Sequence, residues 1–260
     1  MKTITIIGAT GNQGLSVAQT FLSQNWTVRC LTRNPSSPTA QSLAQQGANV
    51  IKSGPERPRL PEDRDGCRVY ADAGAAEVME YIEAERGELA AKTSYIMLGA
   101  YATNPLFMPR WNGEVRRYQF MVPVKRGQMM PVIAARESTG AFVAALVGEE
   151  PRTRLLAYDA YLSMGEIVDI WSRAAGVEAE LVEVDCAELN RRFGIPWEVL
   201  DGPAFIEEFG YTGGVEGIVH PSDLRGVVRT ESFEDWLRKR DWEEVLKEGR
   251  EELESVVHAG

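Results

Sequence analysis

Cysteine and histidine are scarce in this chain of 260 residues, which has three cysteines and two histidines. The cysteines lie far apart and form no Cys-x-x-Cys pair, so neither a disulfide framework nor a zinc site is predicted. Two histidines exclude a multi-histidine metal centre. Only His220 is placed to serve a Ser-His-Asp triad, but no Gly-x-Ser-x-Gly turn accompanies it, and a loop residue before Pro221 is the favoured interpretation.

Long apolar runs and an excess of positive charge are also missing. No stretch reaches the ~18 to 20 uncharged apolar residues of a bilayer span, and the apolar start of the chain runs directly into Gly8. Acidic residues outnumber basic ones by 38 to 28, which disfavours a nucleic-acid or membrane-surface partner. We therefore expect a soluble intracellular protein, in the cytoplasm and as an alternative also in the nucleus. The composition leaves the oligomeric state open.

The first fifty residues have the pattern of a strand, a glycine turn and a helix. The β-branched run Thr3–Ile7 leads into a Gly-x-x-Gly-x-x-Gly turn, and apolar residues then recur at helical spacing. Such a turn directs backbone amides and the positive end of a helix at one point, and glycines let a diphosphate approach the backbone. The predicted cofactor contacts in the turn are Gly8, Thr10, Gly11, Asn12, Gln13 and Gly14.

The residue expected near the ribose of such a cofactor is basic. A second predicted strand, 27–31, ends in Thr-Arg-Asn about 20 residues beyond the turn, where the ribose partner belongs. An acid there would repel a 2′-phosphate, whereas Arg33 offers it a planar cationic donor group. We therefore predict NADP(H) as the cofactor, with Arg33 and Asn34 as contacts. A solvated cation at the strand end is the alternative role of Arg33.

Residues 6–14 (Ile-Ile-Gly-Ala-Thr-Gly-Asn-Gln-Gly) and 31–35 (Leu-Thr-Arg-Asn-Pro) resemble the opening of the NmrA-like proteins, atypical relatives of the short-chain dehydrogenase/reductases. Weaker motifs follow at 77–82, 140–143, 208–214 and 230–237. The resemblance implies an α/β fold with a Rossmann-like, doubly wound parallel sheet in residues 1–100. It also implies a small C-terminal α+β lobe in residues 101–260.

In the family the C-terminal lobe closes over the nicotinamide end of the cofactor. The resemblance therefore places several residues near a substrate pocket, and their apolar members suit a flat hydrophobic or aromatic ligand. Packing inside the lobe is the alternative role of Phe107 and Met108. The predicted pocket residues are Tyr101, Asn104, Phe107, Met108, Phe209 and Tyr211.

A piece of the family's sheet is missing from the sequence. After Asn49–Lys52 further β-α units are expected, but residues 55–69 hold three prolines and eight charged residues and are predicted to form a loop. At roughly 25 to 30 residues for each unit, about 50 residues are absent. We expect the strand predicted at 93–98 to lie beside Thr3–Ile7 in a contracted sheet. Otherwise Thr3–Ile7 exposes an apolar edge and the protein self-associates.

The usual proton-transfer pair of the superfamily is absent as well. None of the eight tyrosines begins a Tyr-x-x-x-Lys motif, and residues 73–75 (Ala-Gly-Ala) stand where the family usually carries a lysine. General acid catalysis contributes about 10²- to 10⁴-fold, so any reductase activity should be slow, and we assign no catalytic residue. Tyr101 or a water molecule is the substitute donor.

Two functions remain open at this point. The first is an NADPH-dependent oxidoreductase acting on a small aromatic or polyketide-like carbonyl compound, which the fungal members encoded with biosynthetic enzymes favour. The second is a non-catalytic NADP(H)-sensing co-regulator of transcription that binds a protein partner. The partner is accordingly a small-molecule substrate or a regulatory protein.

Periodicity predicts the remaining elements. The predicted strands are 119–124, 131–134, Arg154–Ala157 and 180–184. The predicted helices are 137–146, 163–175, Cys186–Phe193, Trp197–Phe209 and 232–240, with Ser163 and Glu166 forming a capping box.

Overall fold

The computed structural model describes residues 2–52, 79–104 and 107–246. The predicted loop at 55–69, the Ala-Gly-Ala stretch at 73–75 and residues 77–78 of one family motif lie outside these ranges. Within the described ranges the strands are β1 (Thr3–Ile7), β2 (Thr27–Thr32), β3 (Asn49–Lys52), β4 (Tyr95–Leu98), β5 (Ala100–Tyr101), β6 (Arg110–Asn112), β7 (Arg117–Val122), β8 (Met129–Ile133), β9 (Arg154–Ala157), β10 (Ala160–Ser163), β11 (Ala179–Glu183) and β12 (Ile218–Val219). The complete helices are α1 (Asn12–Ser23), α2 (Pro38–Gln45), α3 (Gly87–Ala90), α4 (Ala135–Leu146), α5 (Met164–Ala175), α6 (Cys186–Phe193), α7 (Trp197–Phe209) and α8 (Phe233–Arg238).

The chain folds as two compact units, and it passes between them several times. The sequence predicted a boundary at residue 100. The first unit consists of Met1–Met97, Thr139–Leu156 and Ile218–Val228. The second unit consists of Leu98–Ser138, Ala157–Gly217 and Arg229–Gly260.

The first unit begins with a parallel three-stranded sheet in the order β1-β2-β3. Helices α1 and α2 connect these strands, and the register pairs Ile6 with Cys30 and Cys30 with Val50. One face of the sheet packs against α1 through Ile6, Phe21 and Val28, which are all less than 9% exposed. This β-α-β-α-β arrangement confirms the predicted Rossmann-like α/β class.

A second sheet of the first unit has the order β12-β9-β4. The amide of Tyr95, at the start of β4, donates to the carbonyl of Thr153 at 2.9 Å, so β4 runs alongside β9. The prediction that this strand lies beside Thr3–Ile7 is therefore wrong. Among the described residues β1 and β4 belong to different sheets, and the hydrogen bonds of β4 go to β9.

Strand β1 is consequently an edge strand among the residues that the structure describes, with β2 as its neighbour. Ile6 is buried beneath α1, but Ile7 is 85% exposed. A first strand in a complete doubly wound sheet has neighbours on both sides. Within the described ranges, β1 thus has the unpaired apolar edge that the sequence offered as the alternative to contraction.

The second unit contains two further sheets, of orders β10-β8-β5 and β11-β7-β6. Its core is aromatic, with Trp171 of α5 contacting Phe120 and Trp242 at ring-centroid distances of 5.4 Å and 5.3 Å. The predicted capping box at the start of α5 is confirmed, because Ser163 Oγ accepts from the Glu166 amide at 3.2 Å. Glu166 accepts in return from the Ser163 amide at 2.8 Å, and these hydrogen bonds lower the pKa of its carboxyl.

Most predicted elements of this half are confirmed within one or two residues of their bounds. The predictions for β9, α6 and α7 agree at both ends, while β7 begins and ends two residues earlier than the pattern indicated. Strands β5, β6, β10 and β12 were not predicted. They have two to four residues each, too few for alternation to be recognised.

Helices α1 and α4 approach each other closely in the first unit at Gly140. The Gly140 amide donates to Ser16 Oγ at 2.9 Å in a buried hydrogen bond. A Cβ at position 140 would collide with Thr20 Oγ1 and with the Ser16 carbonyl. Backbone atoms cannot move away as a flexible side chain can, so this crossing requires glycine.

Replacing Gly140 with alanine should lower the free energy of unfolding by about 1 to 3 kcal/mol, since the new methyl group overpacks the helix crossing. The matched control is Gly202→Ala in α7, where a Cβ would meet nothing within 4 Å. That change should raise stability by up to about 1 kcal/mol through helix propensity. Urea unfolding of both variants measures these changes. Equal stabilities of the two variants would contradict the requirement for glycine at the helix crossing.

Candidate functional site

The glycine turn between β1 and α1 is built from backbone hydrogen bonds. Gly8 has a φ of +72° and its amide donates to the Leu31 carbonyl of β2 at 3.2 Å. The Gly11 amide then donates to the Gly8 carbonyl at 3.0 Å, which closes the turn. A φ in the left-handed region favours glycine at position 8.

Gly14 lets the first turn of α1 rest directly on the glycine turn. A Cβ on Gly14 would collide with the Gly8 carbonyl oxygen and lie 2.8 Å from Ala9 Cα. Helix α1 starts at Asn12 with Gly11 as its N-cap, so no side chain caps its first amides, and its first turn carries no acid. The positive end of the helix is therefore left for an anion, as in diphosphate-binding turns.

A small polar network connects the turn with the end of β2. The hydroxyl oxygens of Thr10 and Thr32 lie 3.5 Å apart, and the Asn34 amide donates to Thr32 Oγ1 at 3.3 Å. The Asn34 side chain accepts from the Ser36 amide at 3.1 Å. Thr32 was not among the predicted site residues. Buried and exposed residues alternate along β2, and Thr32 is its last, buried residue. This alternation could have predicted that its hydroxyl faces the turn side of the sheet end.

Arg33 lies at the exposed end of β2, immediately after the buried Thr32. No acidic residue precedes Glu56 in the sequence. No carboxylate of the described residues forms an ion pair with Arg33 either. The predicted residues of the turn and Arg33 thus share one end of the β1-β2 pair, with the guanidinium open to an anionic ligand.

Two of the predicted pocket residues meet in the second unit. The Tyr211 hydroxyl donates to the Leu98 carbonyl at 2.9 Å. Burial, with a smaller contribution from the neighbouring Tyr101, raises the pKa of Tyr211 to about 12. The Asn104 amide donates to the Tyr101 carbonyl at 2.8 Å, and the Asn104 carbonyl accepts from the Phe107 amide at the same distance, so these three residues share one turn after β5.

The apolar members of the predicted pocket have different surroundings. Phe107 is 5% exposed in the core of the second unit, and Met108 packs against the same cluster. Phe209 is 54% exposed and contacts Phe205, with ring centroids 5.1 Å apart. The burial of Phe107 favours packing inside the lobe, which the sequence left as its alternative role.

A cavity of about 620 Å³ in the second unit was not found by sequence reasoning. Lys125 and Glu207 form an ion pair across its lining at 3.3 Å. Cys186 also lines it, and burial together with neighbouring acids raises the pKa of its thiol, which disfavours a thiolate nucleophile. The lining includes four carboxylates, those of Glu183, Asp185, Glu207 and Glu208.

No group of three or more His, Cys, Asp or Glu side chains in the described residues is arranged to hold a metal ion. None of the described helices has the length and the hydrophobicity that a bilayer crossing requires.

A parallel sheet whose first strand ends in a glycine turn under a helix N-terminus is the Rossmann-like arrangement, which is typical of dinucleotide-binding proteins. Residues 1–60 match the sequence model of the NmrA-like family, so the resemblance found in the sequence is confirmed for this N-terminal segment. An NmrA-like family domain-containing oxidoreductase of Aspergillus japonicus, himF, is 52% identical over 54 residues, or 20% of this chain. Its counterpart hkm9 of Aspergillus hancockii is 54% identical over 53 residues. Each match spans only 16% of the relative's length.

Solved structures share the fold over nearly the whole chain. The negative transcriptional regulator NmrA, in complex with NADP, has a TM-score of 0.61 at 16% identity and covers 95% of this chain and 97% of its own. Isoflavone reductase has a TM-score of 0.65 at 13% identity, covering 92% and 99%. The leucoanthocyanidin reductase–NADPH complex of Vitis vinifera has a TM-score of 0.60 at 15% identity, covering 90% and 98%. At these identities the likeness describes the fold alone.

Alanine at position 14 should destabilise the protein by about 1 to 3 kcal/mol, because its methyl group separates α1 from the turn. Gly11→Ala is the matched control, since a Cβ there would lie 3.5 Å from the Gly8 carbonyl in ordinary contact. Thermal unfolding followed by circular dichroism compares the two variants. An equal loss in both would show that the close approach at Gly14 does not hold the turn.

Proposed function

We propose that this chain is an NADP(H)-binding, NmrA-like oxidoreductase that acts on a small aromatic or polyketide-like carbonyl compound. The observation that carries the proposal is the glycine turn beneath α1 with Arg33 at the neighbouring strand end. The matched fungal relatives are named as oxidoreductases, which supports the reaction class. The match covers 20% of this chain.

The turn fits the diphosphate of a dinucleotide. Gly14 lets the first turn of α1 rest directly on the glycine turn, and Gly11 places no side chain at the start of α1. Amides at a helix N-terminus bind phosphate oxygens by hydrogen bonds and by the helix dipole. Gly8, Thr10, Gly11, Asn12, Gln13 and Gly14 are the residues that would hold this part of the cofactor.

Arg33 favours the 2′-phosphate of NADP(H) over the bare ribose of NAD(H). It is exposed, it follows β2 directly, and no acid stands nearby in the sequence to accept from a ribose hydroxyl. A guanidinium binds phosphate through paired, charge-assisted hydrogen bonds. The NADP complex of NmrA and the NADPH complex of leucoanthocyanidin reductase support this choice, while an NAD complex of NmrA, at 16% identity, cautions that the fold accepts both cofactors.

Replacing Arg33 with alanine should weaken NADPH binding by about 1.5 to 3 kcal/mol and leave NADH binding nearly unchanged, because only NADPH carries the 2′-phosphate. Fluorescence titration measures both affinities, since the chain has six tryptophans. Arg29→Ala, an exposed position of the same strand, is the matched control. An equal loss of affinity for both cofactors would show that Arg33 does not bind the 2′-phosphate.

Carbonyl reduction needs a proton as well as the hydride that bound NADPH supplies. The Tyr211 proton is engaged by the Leu98 carbonyl, and a pKa raised to about 12 makes this phenol a weak acid. Tyr101 is 37% exposed and lies close enough to Tyr211 to interact electrostatically. Of the two hydroxyls, that of Tyr101 is the one that a substrate can reach, and we assign it the role of proton donor, with Tyr211 as its neighbour.

Tyr101→Phe should lower kcat for a reducible quinone or ketone by about 10²-fold without changing the NADPH dissociation constant, because it removes only the donor hydroxyl. Tyr211→Phe should instead cost about 1 kcal/mol of stability through the lost hydrogen bond to Leu98. Steady-state NADPH oxidation and thermal unfolding separate these effects. Unchanged turnover in Tyr101→Phe would assign the proton to another donor, such as water.

A non-catalytic sensor is the second candidate, and the absence of Tyr-x-x-x-Lys from the whole sequence favours it. Binding of the cofactor without turnover needs only the turn and Arg33. The fold shared with NmrA, a negative transcriptional regulator, is consistent with such a role and with a regulatory protein as partner. Tight NADPH binding with no oxidation across a panel of quinones and ketones would support this candidate and refute the oxidoreductase.

A further inference from the structure

The free edge of β1 presents a regular set of backbone hydrogen-bonding groups. The Thr27 amide donates to the Lys2 carbonyl at 2.9 Å, and the Gly8 amide donates to the Leu31 carbonyl at 3.2 Å. Even-numbered residues therefore point their backbone groups toward β2, since these groups alternate in direction along a strand. The amides and carbonyls of Thr3, Thr5 and Ile7 point to the opposite side, where no described strand pairs with them.

This edge lacks the features that normally prevent pairing with another chain. Natural edge strands carry charges, prolines or bulges. From Thr3 to Ile7 the sequence is Thr-Ile-Thr-Ile-Ile, uncharged and β-branched throughout. Ile7 is 85% exposed, and Thr3 and Thr5 are exposed beside it, so the sheet face opposite α1 is also open at β1.

We propose that β1 pairs antiparallel with β1 of a second copy of this chain, with Thr5 opposite its own counterpart. Thr3 then faces Ile7 of the other copy. These pairs exchange two hydrogen bonds each, so all six outward amides of the two strands find carbonyl acceptors. Ile4 faces Ile6 of the other copy on the face that α1 covers, and the result is a continuous six-stranded sheet around a two-fold axis.

Charge does not oppose this arrangement despite the net charge of −10. The nearest charged residue, Lys2, lies against the Trp26 ring at 5.2 Å. In the antiparallel register the two Lys2 residues are about 20 Å apart, from six residue steps of about 3.4 Å. Salt screens exposed charges beyond about 8 Å, so their repulsion is weak.

The chain's own segment after β3 is a poor occupant of the same edge. Residues 55–69 include three prolines, which cannot donate to a ladder, and eight charged residues among fifteen. The β1 sequence of a second copy has no proline and no charge, and its pattern is complementary to itself. This comparison favours a second copy over pairing within the chain.

Analytical ultracentrifugation of the full chain over a range of concentrations tests the proposal, and we expect a monomer–dimer equilibrium. Thr5→Lys should raise the dimer dissociation constant by at least about tenfold, because it places like charges directly opposite each other. Thr27→Lys, an exposed position of the neighbouring strand, is the matched control and should leave the constant unchanged. A dimer that Thr5→Lys does not weaken uses another surface and overturns the proposal.

Cross-linking gives a second readout that does not depend on the lysine variant folding. Thr5→Cys should form a disulfide-linked dimer under mild oxidation, since opposite Cα atoms in such a pair lie within disulfide range. Thr27→Cys controls for the native cysteines and should not cross-link. A monomer at every concentration, together with no cross-link through position 5, would mean that the edge is covered within the chain or stays bare, and would overturn the proposal.

Discussion

The contact between the first turn of α1 and the glycine turn is the constraint on which the candidate cofactor site depends. Gly14 rests on the Gly8 carbonyl with no space for a Cβ, and this contact fixes the start of the helix over the turn. The same helix meets α4 at Gly140, again without space for a Cβ. Helix α1 is thus held at two points by backbone contacts, which keeps its positive end directed at one place.

The first unit contains the β-α-β-α-β part of a doubly wound sheet, with the glycine turn at the end of its first strand. Among the described strands β1 pairs with β2 alone, while β4 pairs with β9 in a separate sheet. The glycine turn is therefore held by its contacts with β2 and α1, without a described neighbour on the other side of β1.

The second unit combines an aromatic core with a polar edge near Leu98. Trp171 contacts Phe120 and Trp242 at the centre of this core. At the edge, burial raises the pKa of Tyr211, whose hydroxyl donates to the Leu98 carbonyl, while Tyr101 stays partly exposed. The two tyrosines thus differ in burial, in a chain whose sequence has no Tyr-x-x-x-Lys motif.

The sequence by itself determined the local structure and the glycine turn of the candidate cofactor site, because glycine spacing, strand alternation and helix caps act over a few residues. The glycines, Arg33 and the Ser163 capping box were all found in this way. Only the tertiary structure decided the partner of β4, the buried position of Thr32 and the packing of Phe107 in the core. Those outcomes depend on hydrogen bonds and contacts between residues far apart in the chain, for which a single sequence carries no periodic signal.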